Sequence, residues 1–361
     1  MSEWKKVKLG DILQIKKGDY ITKKDAREGI YPVILGGKEP AYYIDKYNHT
    51  GKAIVVSRSG ASAGFVSFWN EPIFVTDGFL IEPKENITFE FLYYALKSKQ
   101  ALLHNAQKGA AIPHVTPLLI SDIDFLLPNE KSRHRIASIL SRYDSLIENY
   151  QKQIKLLEEA AQRLYKEWFV DLHFPGHENT KIVDGVPEGW EKKRVGDITP
   201  IKTGKKDANF GTSDGAYPFF TCSQIPIKAP SYSFDTSAVI LAGNGDFNVK
   251  LYRGKFEAYQ RTYVLEPINE KMLYLLYFCI SENMNRLATG ASGSTIKFLT
   301  KGMIESLIIN KPSTIVLDSF NQIIEPIRTQ KENLQTQIRL LTEARDRLLP
   351  KLMNGEIQNL Y

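Results

Sequence analysis

The chain has 361 residues, which at about 150 residues per domain favours two or three domains. Lysine and arginine exceed aspartate and glutamate by 47 − 41 = 6, a mild excess that permits an anionic partner such as DNA without requiring one. A hydrophobic fraction of 43% and a charged fraction of 24% are typical of a folded globular protein. Composition therefore excludes a disordered, collagen-like or disulfide-scaffold chain.

The two cysteines, Cys222 and Cys279, have no CxxC partner, which excludes a zinc ribbon and favours a reducing compartment. The charged first six residues lack the apolar core of a signal peptide. The longest apolar run, residues 272–280, is far shorter than the about 20 residues of a spanning helix. We therefore expect a cytoplasmic protein that holds no metal.

In chain order, the first predicted elements are short β-type runs separated by Gly, Asn, Asp and Pro, at residues 31–35, 53–57, 64–68 and 73–76. A helical stretch follows at 89–106. A second block repeats this composition, with strands at 219–221, 238–241 and 261–265 and a helix at 270–287. Each block predicts a compact α+β domain.

A heptad seam follows each block. In the first, apolar residues recur at alternating steps of four and three from Ile136 to Trp168. In the second, Lys331 and Arg345 interrupt the same spacing, and Pro326 predicts that the helix begins there or kinks. The seam residues that we expect to form the spacer are Ile136, Leu140, Ile147, Ile154, Leu157, Leu164, Ile324, Leu334, Ile338, Leu341 and Leu348.

A single amphipathic helix would leave its seam in water, so the two helices are expected to pair as an antiparallel coiled coil. The first would span roughly 50 Å, the length of about fifteen base pairs of duplex DNA. The alternative is that the helices only cap a domain core.

Most of the sequence occurs twice. The phrase Trp4-x-x-x-x-Leu9-Gly10-Asp11-Ile12 returns as Trp190-x-x-x-x-Val195-Gly196-Asp197-Ile198 at an offset of 186, and the offset then drifts to 184 through the second helix. Small loop deletions between duplicated domains produce such a drift. We predict domains at 1–130 and 187–312, helices at 131–170 and 313–355, and a Pro/Gly linker at 171–186.

The repeated opening phrase, the helix end Leu164-Tyr165-Lys-Glu-Trp168-Phe169 and the linker Phe174-Pro-Gly-His177 resemble the DNA specificity (S) subunit of type I restriction-modification systems. The resemblance covers essentially the whole chain. It implies an α+β fold with two similar α/β target-recognition domains, joined by two long helices that form an antiparallel coiled coil in an internal pseudo-twofold repeat.

The resemblance further implies a non-catalytic subunit of a type I restriction enzyme. Each domain would read one half of a bipartite, asymmetric site in double-stranded DNA. The helices would set the spacing and dock two adenine-N6 methyltransferase (M) subunits and restriction (R) helicase-nuclease subunits. S-adenosylmethionine would belong to the methyltransferase, and this chain would bind no cofactor. Tyr165, Trp168 and Phe169 are expected as docking surface; alternatively, they close the end of the coil.

Candidate DNA contacts follow from side-chain chemistry. Lysines near glycine turns suit phosphates, and Arg, Asn, Gln, Ser or His on loops after strands suit base edges. The alternatives are a solvated lysine surface and plain hairpin turns. The candidates are Lys17, Lys24, Lys38, Arg58, Ser59, Ser62, Lys108, His114, Lys205, Lys206, Gln224, Asn244, Lys250, Arg261, Ser294 and Lys297.

Signals for catalysis are weak. The chain has neither an Asn/Asp-Pro-Pro-aromatic tetrapeptide nor a Walker A motif, and residues 241–247 resemble a glycine-rich cofactor loop only loosely. Asp77 with Glu82 and Lys84 scans as a nuclease set, as does Asp184 with Glu191 and Lys193, while His173 and His177 lie in the linker. A nuclease and a stand-alone DNA-binding regulator of the same architecture remain the alternatives.

Overall fold

The computed structural model describes residues 4–22, 24, 26–35, 37, 39–105, 114–293 and 297–357. The chain divides into two compact units. Unit 1 contains Met1–Lys152 and Leu334–Tyr361, and unit 2 contains Gln153–Asn333. Both units mix helices with sheets, as the sequence predicts.

The first repeat and the helix that follows it contain the elements β1 (Lys5–Lys8), α1 (Leu9–Ile12), β2 (Leu13–Lys17), β3 (Glu28–Ile34), β4 (Tyr42–Ile44), β5 (Lys52–Ser57), β6 (Val66–Asn70), β7 (Phe74–Val75), β8 (Gly78–Pro83), α2 (Phe89–Ser98), α3 (Gln100–Asn105), α4 (Pro117–Ser121), β9 (Asp124–Leu127) and α5 (Glu130–Tyr165).

The linker, the second repeat and its helix contain β10 (Ile182–Val183), β11 (Val186–Pro187), β12 (Glu191–Arg194), α6 (Val195–Ile198), β13 (Ile201–Thr203), β14 (Tyr217–Phe220), β15 (Ile227–Ala229), β16 (Phe234–Ala242), β17 (Val249–Ala258), β18 (Thr262–Leu265), α7 (Leu273–Glu282), α8 (Met284–Gly290), α9 (Lys301–Glu305), β19 (Ile308–Lys311) and α10 (Thr314–Met353).

Unit 1 has a four-stranded sheet in the order β2-β8-β5-β6 and a three-stranded sheet in the order β4-β3-β7, while β1 pairs with β9. Helix α2 buries Phe91 and Leu92 against the first sheet. Leu349 and Leu352, from the last turns of α10, belong to the same core. The C-terminal helix segment is therefore an integral part of unit 1.

Unit 2 repeats these pairings in a single six-stranded sheet, β13-β18-β16-β17-β14-β15. The difference arises at one strand. In unit 2, β17 is continuous and its end pairs with β14 in parallel, Phe219 opposite Glu257. In unit 1 the corresponding chain is interrupted between β6 and β7, and β7 makes the equivalent parallel pair, Val33 opposite Phe74. Gly254 in β17 has φ +121°, which a glycine tolerates inside a strand.

The repeated Gly-Asp-Ile phrase has the same structural role in both copies. Asp11 Oδ2 accepts a hydrogen bond from Lys8 N at 2.8 Å, and Asp197 Oδ2 accepts one from Arg194 N at 3.0 Å. A Cβ on Gly10 would lie 2.9 Å from the Ser121 side chain. The phrase therefore makes a short capped helix that packs closely on α4 in the first copy and on α9 in the second.

The two long helices confirm the predicted periodicity. All ten seam positions from Ile136 to Trp168, nine of them in α5 and Trp168 three residues beyond its end, are buried or half-buried. On α10, Ile324 and Leu334 are 2% and 3% exposed, and the positions of Lys331 and Arg345 also face inward. The seam thus buries apolar side chains at the helical period, as expected for paired helices.

Each unit pairs its two helix segments in antiparallel fashion. In unit 1, Asp144 of α5 contacts Arg345 of α10. Ile136, earlier on α5, belongs to the same core as Leu352, later on α10.

In unit 2, Glu158 contacts Lys331. Trp168, ten residues after Glu158, packs against Phe320, eleven residues before Lys331. Within each unit the contacts therefore have the opposite-running order of an antiparallel pair.

Several sequence expectations need correction. Helix α10 begins at Thr314, twelve residues before Pro326, so of the two alternatives for the proline a helix start is wrong and a kink stays a prediction. The buried Phe320 and Ile324 extend the helix through packing, which outweighs the hydrogen bond that proline removes. The predicted single helix at 89–106 is two helices separated at Lys99. The ten-residue strand β17 was missed because its sequence, VKLYRGKFEA, is charged and contains glycine.

No helix in the described ranges combines the length and apolar character that crossing a bilayer requires.

Candidate nucleic-acid interface

In unit 1, four loops meet at one end of the four-stranded sheet. Gly18, which follows β2, donates its N–H to Gly78 O at 3.1 Å. Arg58, which follows β5, donates to Asp77 O at 3.1 Å and accepts from Val115 N at 2.9 Å. Antiparallel pairing of β2 and β5 with β8 brings these loops together. Loop cluster 1 is defined as residues 18–20, 57–65, 76–77 and 114–115.

Unit 2 repeats these backbone hydrogen bonds. Gly204 donates to Thr262 O at 3.2 Å, and Gly243 donates to Arg261 O at 2.8 Å. Gly243 O accepts from Leu299 N at 2.8 Å. Loop cluster 2 is defined as residues 204–207, 221–224, 242–250, 259–261 and 297–299. The two clusters are built on one shared backbone frame.

Equivalent positions of this frame carry different side chains. The isolated bridge between Ser59 and His114 corresponds to the bridge between Asn244 and Phe298. The offsets that run through the sequence also align Arg58 with Gly243 and Asp77 with Arg261. Two binding sites that recognise different ligand sequences require such a common frame with divergent side chains.

Two equivalent glycines show how tightly the frame is built. A Cβ on Gly18 would lie 2.5 Å from Val75 O, and a Cβ on Gly204 would lie 1.9 Å from Ala258 O. Either contact would force the backbone apart. The recurrence of Gly18 as Gly204 therefore reflects close backbone packing beside both loop clusters.

Loop cluster 1 centres on the Asp77 carboxylate. The hydroxyl of Ser59 donates a hydrogen bond to Asp77 Oδ2, and Arg58 NH1 lies 4.0 Å from Oδ1. Ser62 lies in the tight turn in which Phe65 N donates to Ser62 O at 2.9 Å. The predicted residues Arg58, Ser59 and Ser62 are thus brought together on one loop, and Asp77 orients two of them.

Loop cluster 2 contains a longer polar network. Cys222 Sγ donates to Asn244 Oδ1 at 2.8 Å, and Gln224 Nε2 donates to Asp246 Oδ2 at 2.7 Å. Lys250 Nζ donates to Ser223 O at 2.9 Å and to the Asn248 side chain. Burial lowers the pKa of Lys250 below its ordinary value. The ammonium of Lys250 thus holds residues 221–224 onto β17, and its contact with DNA stays a prediction.

The lysine-rich segments divide into paired and exposed groups. Lys16 Nζ lies 2.7 Å from Glu82 Oε2, and the equivalent Lys202 lies 3.1 Å from Glu266 Oε2. The hydrogen bond from the Thr236 hydroxyl and the pair with Lys202 keep the pKa of Glu266 below its usual value. The remaining predicted lysines of these segments, Lys17, Lys24, Lys205 and Lys206, are exposed or lie at the rim of their cluster, and Lys206 Nζ sits 4.3 Å from the centre of the Phe210 ring.

The other candidates are less well placed. Lys297 is exposed beside Phe298 at the edge of loop cluster 2, and His114 is exposed in loop cluster 1. Lys38, Lys108 and Ser294 lie outside the described residues.

Sequence reasoning missed residues in both clusters. Tyr20, two residues after Gly18, is 89% exposed, and Phe298 is 38% exposed opposite Asn244. Asp77 was considered only as a metal ligand. Aligning the repeats at an offset of 184 places Asp77 on Arg261, and that signal would have identified it as a frame position.

The geometry does not assemble the nuclease set. Asp77 is engaged by Ser59 and Arg58, Glu82 by Lys16, and Lys84 Nζ donates to Gly10 O at 2.6 Å. In the part of the chain that the structure describes, no three His, Cys, Asp or Glu side chains are grouped to hold a metal ion. The arrangement supports binding chemistry more directly than catalysis.

The aromatic residues at the end of α5 lie in the core of unit 2. Tyr165, Trp168 and Phe169 are 5%, 6% and 3% exposed. The Phe169 ring packs edge-on against Phe320, with 4.8 Å between the ring centroids. It also packs against Trp190, with 5.6 Å between the centroids. The expectation that they form docking surface is therefore corrected, because aromatic packing removes them from solvent. The alternative, that they close the end of the coil, fits their positions.

The fold and its two loop clusters define a duplicated α+β protein in which one frame presents two different sets of side chains. The chain belongs to the family of type I restriction modification DNA specificity domains, whose family model matches residues 1–159 and again 187–336.

Individual proteins similar to this chain are also named as specificity subunits. The chain is 39% identical over 176 residues to the type I restriction enzyme EcoDI specificity subunit of Escherichia coli, an alignment that covers 48% of this chain and 39% of that protein. It is 27% identical over 338 residues to the MjaIX specificity subunit of Methanocaldococcus jannaschii, covering 85% of this chain and 78% of that protein. The chain thus spans well under half of the first relative and over three quarters of the second.

A solved structure shares the fold. The crystal structure of the type I restriction-modification S subunit from M. genitalium aligns with a TM-score of 0.62 at 20% identity, covering 98% of this chain and 96% of that one. The duplicated, helix-paired fold class predicted from the sequence is confirmed.

Proposed function

We propose that this chain is the sequence-reading subunit of a type I restriction-modification complex, in which loop clusters 1 and 2 each read one half of a bipartite site in double-stranded DNA. The observation that supports this most directly is the shared backbone frame, in which equivalent bonds hold Arg58 and Gly243 while the exposed side chains differ. Direct readout of bases depends on such side chains, and phosphate contacts only position the protein.

Helices α5 and α10 would set the distance between the half-sites, since the spacing of reading modules determines the spacing of half-sites. They would also dock the methyltransferase subunits. Because Tyr165, Trp168 and Phe169 are buried, the docking surface must lie elsewhere. Leu156 on α5 is 64% exposed, and Leu340, its equivalent at an offset of 184, is 51% exposed. Equivalent apolar positions on the two helices suit two copies of one partner.

In this proposal the chain supplies recognition and assembly, and the adenine-N6 methyl transfer belongs to the partner. S-adenosylmethionine would be bound by the methyltransferase subunits, and a restriction helicase-nuclease subunit could join the assembly. The backbone frame, the polar networks of the loop clusters and the exposed leucines are the contributions assigned to this chain.

The first experiment is co-expression of this chain with a cognate methyltransferase subunit, followed by mapping of methylated adenines across the host genome. A split motif with a fixed gap is the expected result. Absence of new methylation from an assembled complex would contradict the proposal and favour a stand-alone DNA-binding protein. Methylation or cleavage by this chain alone would favour an enzyme.

Adjacent leucines provide a matched test of the helices. Leu156→Asp changes an exposed position and should abolish capture of the methyltransferase while leaving DNA binding by the chain unchanged. Leu157→Asp, one residue later in the half-buried seam, should weaken the helix pair and the binding of the full site. Equal effects of the two substitutions on both assays would contradict the separation of docking face and seam.

A further inference from the structure

We infer that Arg261 is the residue of loop cluster 2 that selects a guanine, and that loop cluster 1 places the corresponding arginine, Arg58, on the neighbouring loop of the same frame. This inference rests on the proposed function and assigns the base class and the residue within it. The conclusion depends on how Arg261 is anchored, what its side chain contacts, and what occupies the equivalent position in unit 1.

The backbone of Arg261 is rigidly held. Its carbonyl oxygen accepts a hydrogen bond from Gly243 N at 2.8 Å and lies 3.7 Å from Cys222 Sγ. The next residue, Thr262, is fully buried, begins β18 and pairs with Ala242 of β16. Thr262 N also closes a tight turn onto Tyr259 O at 2.8 Å. Arg261 therefore projects from a fixed point at one end of the sheet, as a base-reading side chain requires.

The Arg261 side chain is exposed and uncompensated. Among the described residues, no carboxylate lies within 4.0 Å of its guanidinium. Two acids of the cluster are engaged by other side chains: Asp246 accepts from Gln224 Nε2 at 2.7 Å, and Asp207 accepts from Gln260 Nε2 at 3.4 Å. The five N–H donors of its planar fork thus have no acidic partner in the part of the chain that the structure describes.

The equivalent position of unit 1 carries the opposite charge. Asp77 occupies it, and its carboxylate binds the Ser59 hydroxyl and faces Arg58 NH1 at 4.0 Å. Unit 2 has Gly243 where unit 1 has Arg58, so it has no side chain there. Of the two aligned positions, 58 with 243 and 77 with 261, each cluster therefore has an arginine at one. Within each cluster, the same backbone hydrogen bond joins the two loops that carry these positions. Moving the arginine between the loops changes which base position it reaches.

Guanine is the base that an arginine fork recognises. Its O6 and N7 are two acceptors on the major-groove edge, and a planar guanidinium can donate to both at once. A lysine at the same place offers a point charge without the fork. Loss of a bidentate contact of this kind lowers discrimination against other bases by about 5- to 150-fold.

The test is affinity selection from a randomised duplex library, using the full chain co-expressed with a methyltransferase subunit. The variants are Arg261→Ala, Arg261→Lys and Arg58→Ala. Arg194→Ala is the matched control, because it removes one exposed positive charge from β12 outside loop cluster 2. Thermal unfolding of each variant verifies that it folds.

The wild-type complex should enrich two half-sites separated by a gap. Arg261→Ala should lose the preference for guanine at one position of one half-site, Arg261→Lys should retain it in part, and Arg194→Ala should change nothing. Arg58→Ala should alter only the other half-site.

A split motif that Arg261→Ala leaves unchanged, or changes equally in both halves or at a base other than guanine, would overturn the inference while preserving the proposed function. Failure of the wild type to select any split motif would overturn the proposed function, and this inference with it.

Discussion

Lys331 Nζ on α10 lies 2.6 Å from Glu158 Oε1 on α5, within unit 2. The lysine occupies a position where the heptad seam would otherwise be apolar, and its side chain is 29% exposed. An ammonium at such a position is tolerated because its aliphatic stem packs along the seam while its charge meets a carboxylate. The interruption of the seam is thus a paired charge that favours one register of the two helix segments.

Reversing one charge of this pair should destabilise unit 2. Lys331→Glu places two carboxylates together and should lower the free energy of unfolding by about 0.2–1 kcal/mol, a change of at most a few degrees in Tm. The double variant Glu158→Lys with Lys331→Glu should recover most of the loss. Thermal unfolding of the four proteins gives the coupling energy, and a double variant no more stable than the singles would show that the pair does not specify register.

A second charged residue in the seam, Arg345, organises unit 1. Arg345 NH1 lies 2.5 Å from Asp144 Oδ1, and the Tyr94 hydroxyl donates to Asp144 Oδ2 at 2.5 Å. The two charged side chains are 19% and 24% exposed. Burial and the nearby Asp144 raise the pKa of Tyr93 to about 12, in the same cluster. One carboxylate thus joins both helix segments to α2.

Asp144→Ala should therefore destabilise unit 1 by about 1–3 kcal/mol, because the buried Tyr94 hydroxyl loses its acceptor and Arg345 keeps only Asp346 as a carboxylate partner. Glu148→Ala, one turn later on an exposed position, is the control and should change stability by less than about 0.5 kcal/mol. Urea unfolding monitored by far-UV circular dichroism provides the comparison. Equal midpoints for the two variants would assign Asp144 no structural role.

Substitution of Trp168 tests whether the aromatic residues after α5 belong to the core or to the docking surface. Its ring lies 5.9 Å from Phe320 and 6.3 Å from Phe169 between centroids, and its side chain is buried. Trp168→Ala should cost about 3–5 kcal/mol of stability, whereas Leu156→Ala at the exposed position should cost little. Thermal unfolding and pull-down of the methyltransferase subunit are measured together. A Trp168→Ala protein with unchanged Tm that fails to bind the partner would restore the aromatic residues to the docking surface.

The two thiols should differ in reactivity. Burial raises the pKa of the Cys279 thiol to about 12, so almost none of it is thiolate near neutral pH. Cys222 is partly exposed in loop cluster 2, where its thiol contacts Asn244. N-ethylmaleimide at pH 7.5 should label one thiol in the native protein and two after denaturation, as read by mass spectrometry.

Labelling of Cys222 should also weaken selection of one half-site only, because the thiol holds the loop that carries Asn244. Cys222→Ser is the control and should abolish native labelling while retaining the hydroxyl as a donor. Native labelling at Cys279, or an equal loss at both half-sites, would contradict the assignment.

Periodic and duplicated features could be predicted from the sequence. The seam from Ile136 to Trp168 is a local pattern at the helical period, and the structure buries or half-buries every member of it. The return of Gly18 as Gly204 is visible in the sequence because duplicated copies conserve a backbone that tolerates no Cβ at that place. The helices, the repeat and the fold class could therefore be predicted from local patterns in the sequence.

Other expectations failed because the decisive contacts are long-range. The aromatic residues at the end of α5 occupy seam and flanking positions alike, and only the packing of Phe320 and Trp190 against Phe169 buries them. Lys250 was assigned to DNA from its charge, and this assignment stays a prediction; its contact with Ser223 O, which joins two separate segments of unit 2, could not be predicted from the local sequence.

The sequence by itself determined that two similar domains alternate with two long amphipathic helices, since periodicity and repetition are properties of the chain read locally. Only the tertiary structure decided which loops meet. Arg58 faces Asp77, nineteen positions away, and Arg261 O lies beside Cys222, thirty-nine positions away, because strand pairing brings those segments to one sheet end. Side-chain chemistry is encoded in the sequence, but proximity is created when the sheet forms.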